Sequence, residues 1–385
     1  MKITHVCLCG PVTDGWTYQD NLLPKYHKRL GYETSVITSQ YIYGKNNDVK
    51  IDQRSMYYNE YGIKTIRLKS KYNTTIYSKF KFYKDVYETI VSESPDILFV
   101  HGVQFLNIKD IVKYLKKNPH VVTFVDNHAD FSNSATNIIS KSLLHGLIWR
   151  KCAQLIEPYT TKFYGVLPAR VDFLKKIYKL PEDKVELLVM GADDEKVQEA
   201  RQVNVKKEIR EKYNIRLDDF LIITGGKIDN AKRQTLFLMQ AIKKINNPKV
   251  KLIIFGSVIE ELQEKFNTLV DDDKIKYIGW VSSEDSYKYF ASADLVIFPG
   301  RHSVFWEQVV GLGIPMIVKY WEGTDHVNIG GNCEFLYQDS IEEIEHKVNL
   351  LLNNPMRYNE MKNKAETFGK NQFSYENIAK RSIEI

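Results

Sequence analysis

The residues best suited to chemistry sit where a short apolar run at 220–224, Phe-Leu-Ile-Ile-Thr, meets Gly225, Gly226 and Lys227, with Lys232 and Arg233 a few positions on. A helical pattern follows, with Leu236, Met239, Ala241 and Ile242 mainly on one face. A strand ending in glycines at a helix start lets a ligand approach the backbone and presents free N–H groups to an anion. Two lysines at that mouth add fixed positive charge suited to a diphosphate. The same residues also suit an ordinary strand–turn–helix with solvated lysines, so the rest of the chain must decide.

Three further constellations follow strand-like runs. At 299–315 the sequence reads Pro-Gly-Arg-His-Ser-Val-Phe-Trp-Glu-Gln-Val-Val-Gly-Leu-Gly-Ile-Pro. Here Ser303 can cap a helix carrying Glu307 in its early turns. A carboxylate there is favoured by the helix dipole and can accept from vicinal ribose hydroxyls, or it can be a plain helix-start acid. At 125–131 the run Val-Asp-Asn-His-Ala-Asp-Phe places His128 and Asp130 at a strand end. A histidine there can donate to a sugar hydroxyl or be a loop residue satisfied by backbone. The loop 10–15, Gly-Pro-Val-Thr-Asp-Gly, can wrap a substrate, although two glycines alone are weakly specific. Gly15, Asp130 and His101, which closes a strand-like run at 96–101, are the candidates for acceptor or sugar contact.

The elements that must position these groups alternate between strand and helix. Expected strands lie at 3–9, 34–39, 64–68, 96–101, 121–125 and 163–167, and in a second series at 220–224, 250–255, 275–278, 295–298 and 316–319. Expected helices include 22–30, closed by Gly31, and 79–92. Buried strands alternating with amphipathic helices predict parallel sheets covered on both faces. A chain of 385 residues is too long for one ordinary core, and the polar stretch 193–207 separates the two series. The predicted organisation is two Rossmann-like domains, N-terminal (1–195) and C-terminal (196–366), and a terminal helix (367–385) packing back on the first. The parallel sheets would face each other across a ligand cleft.

Composition narrows the function classes. Apolar content of 43% and charged content of 26% fit a globular protein, and a net charge of +6 argues against bulk nucleic-acid binding while suiting anionic small molecules or a membrane surface. Cys7, Cys9, Cys152 and Cys333 lack metal-site spacing. The acidic triplet 271–273 lies in a polar turn and reads as solvated surface. The N-terminus is too short in apolar residues for a signal peptide, and no run approaches the ~20 residues of a membrane span. A cytoplasmic protein follows as the expectation. The stretch 64–84 mixes Lys64, Arg67, Lys69, Lys71, Lys79, Lys81 and Lys84 with Tyr72, Tyr77, Phe80, Phe82 and Tyr83. It suits either contact with an anionic membrane, presenting a lipid-linked acceptor, or a solvated helix with buried aromatics.

Taken in order, these motifs resemble the family 4 glycosyltransferases of the GT-B fold, over nearly the whole chain. Gly226, Lys227 and Lys232 match the family's Gly-Arg/Lys-x4-Lys segment, with Arg233 where glycine is usual. Gly191-Ala192-Asp193, residues 165–170, Gly256, Gly279-Trp280-Val281, Ser292-Ala293-Asp294 and Gly313-Ile314-Pro315 fit further motifs. His128 takes the place of the family's sugar-contacting histidine. One departure stands out: the family's two glutamates, with seven residues between them, would fall on Gly300 and Gln308.

The resemblance implies transfer of a sugar from a nucleotide-diphosphate sugar to the hydroxyl of a glycan or lipid-linked acceptor, with retention of configuration. It implies no cofactor and no essential metal. Lys227 and Lys232 would stabilise the leaving diphosphate, with His128 as the third catalytic group. Gly226, Arg233, Gly256, His302, Ser303, Glu307 and Gln308 would bind donor, with Glu307 taking the ribose and His302 and Ser303 the sugar. Residues 321–326 would also line the sugar pocket. The setting implied is bacterial cell-surface polysaccharide or glycoconjugate synthesis at the inner face of the cell membrane. A nucleotide-sugar 2-epimerase and a non-catalytic sugar-nucleotide binding protein are the competing readings.

Overall fold

The computed structural model describes every residue except 45–47, 72–80, 131–133, 135–139 and 272, with backbone alone for 140–142. The chain forms two compact units, Met1–Val189 with Ile378–Ile385, and Met190–Asn377. The changeover falls a little before the expected 195/196 boundary, and the chain rejoins the first unit at Ile378 rather than at 367.

The first unit holds β1 (Lys2–Cys7), β2 (Glu33–Ser39), β3 (Tyr41–Tyr43), β4 (Val49–Ile51), β5 (Met56–Tyr58), β6 (Lys64–Leu68), β7 (Ile97–His101), β8 (Val122–Asn127), β9 (Lys162–Gly165) and β10 (Val185–Leu187). Its eight-stranded sheet runs β10-β9-β8-β7-β1-β2-β6-β5, parallel except for the edge strand β5, while β3 and β4 form a separate antiparallel pair. The second unit holds β11 (Phe220–Gly225), β12 (Val250–Phe255), β13 (Ile275–Tyr277), β14 (Leu295–Phe298), β15 (Met316–Lys319) and β16 (Cys333–Leu336), ordered β13-β12-β11-β14-β15-β16 and all parallel. Apolar runs suit this sheet because both faces are covered: Ile222, Leu252, Ile254, Leu295 and Ile297 are fully buried. In each sheet the strand order reverses beside the first strand of its series. These are β1 next to β7, and β11 next to β14. Open parallel sheets bind ligands outside the carboxyl ends of the strands at such points.

Three departures from expectation have local causes. The helix expected at 79–92 runs Val86–Glu93, because Lys81 and Asp85 adopt left-handed backbone (φ 49° and 59°) and residues around Phe82 pair with 69–71 instead of coiling. The Lys71 N–H donates to Phe82 O at 2.8 Å and the Lys84 N–H to Lys69 O at 2.9 Å. Tyr83 is buried while Lys69, Lys71 and Lys84 are exposed, so this part of the basic aromatic stretch is not helical, and residues 72–80 lie outside the described residues. Strands β3, β4, β5, β10 and β16 were not expected; at three or four residues each they carry no periodic signal. Ser303 does not cap the helix Phe305–Leu312, whose N-cap is Val304 without a side-chain cap. Among the described residues no helix is long and apolar enough to cross a membrane.

Candidate functional site

In the second unit the loops after β11 and β14 line one pocket. Gly225, Gly226, Lys227, Lys232 and Thr235 come from the first loop and helix, and Pro299, Gly300, Arg301 and Ser303 from the second. Gly226 takes φ 116° and donates its N–H to Phe255 O at 3.0 Å, which turns the chain sharply at the end of β11. Gly256, at φ 122°, lies so close beneath that a Cβ there would sit 2.0 Å from the Gly226 carbonyl oxygen. It shapes the turn without lining the pocket. The side chain of Lys232 reaches back to the turn: a Cβ on Gly226 would lie 3.6 Å from its Nζ.

Burial lowers the Lys232 pKa; the nearby Arg301 charge lowers it further, and Asp229 opposes both. Asp229 only partly offsets the cost of holding this ammonium out of water beside another cation, and an anionic ligand would add to that compensation. Lys227 is exposed at the mouth. None of the described lining residues is acidic. Arg301 escaped the sequence reading, although its position one residue past the expected Pro-Gly turn was the available signal. Arg233, expected at the donor, does not line the pocket, and its charge falls near Asp339.

Glu307 and Gln308, expected at the ribose, are turned into the fold. Glu307 is fully buried, and His302 Nε2 and His326 Nε2 both lie on its Oε1, at 2.8 and 2.9 Å. Burial would raise the pKa of this carboxyl, but the two imidazoles hold it well below the usual carboxylate range. Gln308 donates from Nε2 to Ser286 Oγ at 2.8 Å. The cause is helical geometry: neighbouring positions in the helix Phe305–Leu312 face different sides, and both sides are packed. His302 therefore anchors the loop through Glu307, while Ser303 faces the pocket. The donor atoms of His302, Glu307 and His326 lie within 4.8 Å of one another, a spacing that a cation could bridge. Of the segment 321–326, Trp321 is exposed and His326 is spent on Glu307.

In the first unit, His128 follows β8 with 37% of its side chain exposed, its Nε2 3.4 Å from Asp126 Oδ2. Asp130 is buried and pairs with Arg170 at 3.0 Å. His101 is also buried, its Nδ1 2.8 Å from Asp126 Oδ2 and 3.1 Å from Asp20 Oδ1. Asp130 and His101 thus sit behind the surface that His128 reaches. The loop 10–15 is held from beneath. Arg67, with no exposed side chain, donates to Val12 O at 3.1 Å; the Tyr57 hydroxyl donates to Asp14; and the Gly15 N–H donates to Glu60 Oε1 at 2.7 Å.

The buried histidines predict a pH response. Burial holds His27 at a pKa of about 4, against ~6.5 when unfolded. Between those values the unfolded chain takes up a proton that the native state refuses, so stability falls as pH drops through this window. At 1.36 kcal/mol per unit the loss is roughly 3 kcal/mol from this group alone. Below it, the depressed carboxyls Asp126 and Glu307 add further loss. Melting temperature should decline steadily from pH 7 to pH 4, and a flat profile would contradict the buried neutral imidazole.

Residues 205–368 match the family model described as glycosyl transferases group 1. The chain is 22% identical over 215 residues to an uncharacterized glycosyltransferase of Methanocaldococcus jannaschii, an alignment spanning 54% of this chain and 55% of that one. The chain thus covers only about half the length of that relative. Among solved structures, HepE of Anabaena in complex with UDP superposes with a TM-score of 0.69 at 12% identity, covering 99% of this chain and 98% of that one. The UDP-GlcNAc 2-epimerase of Neisseria meningitidis bound to UDP-GlcNAc gives 0.64 at 13% identity, covering 99% and 98%. The fold is α/β with parallel sheets, that of the GT-B glycosyltransferases, and the match to the glycosyl transferases group 1 model lies within the second unit.

Proposed function

We propose that this protein moves a sugar from a nucleotide-diphosphate sugar to an acceptor hydroxyl. The observation that carries the reading is the convergence of Lys227, Lys232 and Arg301 with the Gly226 turn and Ser303 in one pocket at the strand-order switch of the second sheet. In the reaction the C1–O bond to the diphosphate breaks, a C1–O bond to the acceptor oxygen forms, and the acceptor hydroxyl's proton passes to the released diphosphate. The charge left on the diphosphate is what preorganised cations stabilise best in a partly desolvated site. The pocket residues fall within 205–368, the segment that matches the group 1 model, which supports the reading. Relatives of the same fold bind UDP and UDP-GlcNAc, which supports a uridine nucleotide as the first donor to test.

The finer reading is a hexosyl transfer with retention of configuration, without a protein nucleophile, cofactor or metal. His128 is the sugar-contacting histidine in that reading, and the acceptor is a cell-surface glycan or lipid-linked precursor met at the inner membrane face. A second reading, nucleotide-sugar 2-epimerisation, is favoured by the likeness to the Neisseria meningitidis enzyme. A panel of UDP- and GDP-sugars, incubated with and without bacterial lipid extract, separates the two. A transferase releases nucleoside diphosphate that rises with acceptor, whereas an epimerase yields a new sugar nucleotide with no acceptor. Binding without either product would leave only a nucleotide-binding protein.

A further inference from the structure

A chain of imidazoles crosses the interior of the first unit. His27 Nε2 lies 3.1 Å from the Ala379 carbonyl and 3.0 Å from Ser382 Oγ. His27 Nδ1 meets His5 Nε2 at 3.0 Å, and His5 Nδ1 meets His101 Nε2 at 2.9 Å. His101 Nδ1 then faces Asp126 Oδ2 and Asp20 Oδ1 at 2.8 and 3.1 Å. Asp126 Oδ2 also accepts from Gln19 Nε2 at 3.2 Å and lies 3.4 Å from His128 Nε2. His5 and His27 have no exposure and His101 has 2%, so water cannot complete the contacts among these three rings.

The protons can be counted from one end. The Ser382 hydroxyl donates to Ala379 O at 2.9 Å, so both oxygens facing His27 Nε2 accept and that nitrogen carries a hydrogen. His27 is neutral near pH 7, burial having pushed its pKa down to about 4, so its Nδ1 is bare. The proton between His27 and His5 therefore belongs to His5 Nε2. His5 is kept neutral by burial and by its two imidazole neighbours, so its Nδ1 is bare as well. The proton of the next contact then belongs to His101 Nε2. Beyond His101 stand two carboxylates at ion-pair distance from Nδ1, where a bare ring lone pair would face two anions, so Nδ1 carries a second proton.

We propose that His101 is a buried imidazolium whose charge is dictated by the direction of this imidazole chain, and that it is a positioning residue for the reaction. It fixes the Asp126 carboxylate, and Asp126 orients His128, the one ring of the four that is partly open to solvent. The groups facing His101 are His5 and Cys7 from β1, Gln19 and Asp20 from the helix Gln19–Arg29, Phe99 from its own strand, and Asp126 from β8. Cys7 stays a neutral thiol, burial pushing it up to about 11, so the charge balance is one imidazolium between two carboxylates. The direction of shift agrees at both partners. Burial opposes charging His101 and a neutral Cys7 does not help it, but Asp126 and Asp20 favour the charged ring, and Asp126 is in turn held well below the usual carboxylate range. Because the first link is the Ala379 carbonyl, the last residues of the chain set the proton inventory of a strand end far from them in sequence.

The catalytic half of this inference rests on the proposed function, whereas the protonation half does not. Full-length protein labelled with 15N-histidine, examined by long-range proton–nitrogen correlation from pH 6 to 8.5, reads the tautomers without substrate. We expect His5 and His27 as neutral Nε2–H tautomers and His101 with both nitrogens protonated across this range. A neutral His101 at pH 7, or an Nδ1–H tautomer at His27, would overturn the chain. In turnover assays, His101→Gln should lower kcat by about tenfold or more while changing KM for the nucleotide sugar less than twofold. Asp126→Asn should do the same, and the double variant should lose little beyond either one. Additive losses, or losses confined to KM, would remove the positioning role even with the tautomers as described.

Discussion

Replacing Lys232 with alanine is expected to lower kcat for sugar transfer by about 10²–10³-fold, the range seen when one preorganised charge-stabilising group is removed. Three observations make this the larger of the two lysine effects. The Lys232 side chain folds back onto the Gly226 turn, burial already depresses its pKa, and Arg301 opposes its charge until an anion arrives. A cation held ready in low dielectric interacts more strongly with a developing phosphate charge than one in water. Lys227 is exposed, so Lys227→Ala should cost about tenfold, felt more in affinity for UDP or GDP than in kcat. Steady-state kinetics with nucleoside diphosphate titrations check both. Unchanged kcat in Lys232→Ala, with an intact far-UV spectrum, would remove the diphosphate assignment from this pocket.

Gly256→Ala is expected to destabilise the second unit by more than ~3 kcal/mol, lowering its melting temperature by roughly 6–12 °C. The added carbon would stand 2.0 Å from the Gly226 carbonyl oxygen and 2.6 Å from its carbon. Both are backbone atoms that no rotamer change can move aside. The backbone at φ 122° adds strain of about 1–3 kcal/mol for any residue with a side chain. Relief must come from lifting the Gly226 turn, so surviving protein should also bind nucleotide more weakly. Gly279→Ala is the control. It too has positive φ, 75°, but nothing within 4 Å of the new carbon, so it should cost only about 1 kcal/mol. Equal losses in the two variants would show that conformation, not the packing of one loop on the other, governs the site.

The sequence made some of this legible for physical reasons and hid the rest for others. Strands β11, β12, β14 and β15 announce themselves as short apolar runs because their sheet is covered on both faces. Gly226 and Lys232 were readable because a glycine turn and a lysine at fixed spacing belong to one local segment, where spacing translates into geometry. The direction of Glu307 was not readable. Whether that carboxylate meets a ligand or two imidazoles depends on which side of its helix is packed, and His326 comes from beyond the next strand. His101 was picked out as a sugar contact because histidines at strand ends often are, yet its neighbours His5, His27 and Asp126 come from three separate elements. Arg301 was passed over because an arginine in a polar loop is ordinary, and only the pocket gives it a role.

The segment Ile378–Ile385 belongs to the first unit although it follows the whole of the second. The outgoing and returning strands of backbone are tied at Ala192, whose N–H donates to Phe373 O at 2.8 Å and whose carbonyl accepts from Tyr375 N at 3.2 Å. In sequence terms the second unit is therefore an insertion with two junctions. This sets a rule for anyone building hybrids by exchanging donor halves among related proteins. A simple head-to-tail fusion would replace Ala379 and Ser382 with foreign residues and strip the recipient half of the carbonyl that orients His27. A working hybrid should keep the recipient's own last eight residues, so that the exchanged module is spliced in at Met190 and out at Asn377.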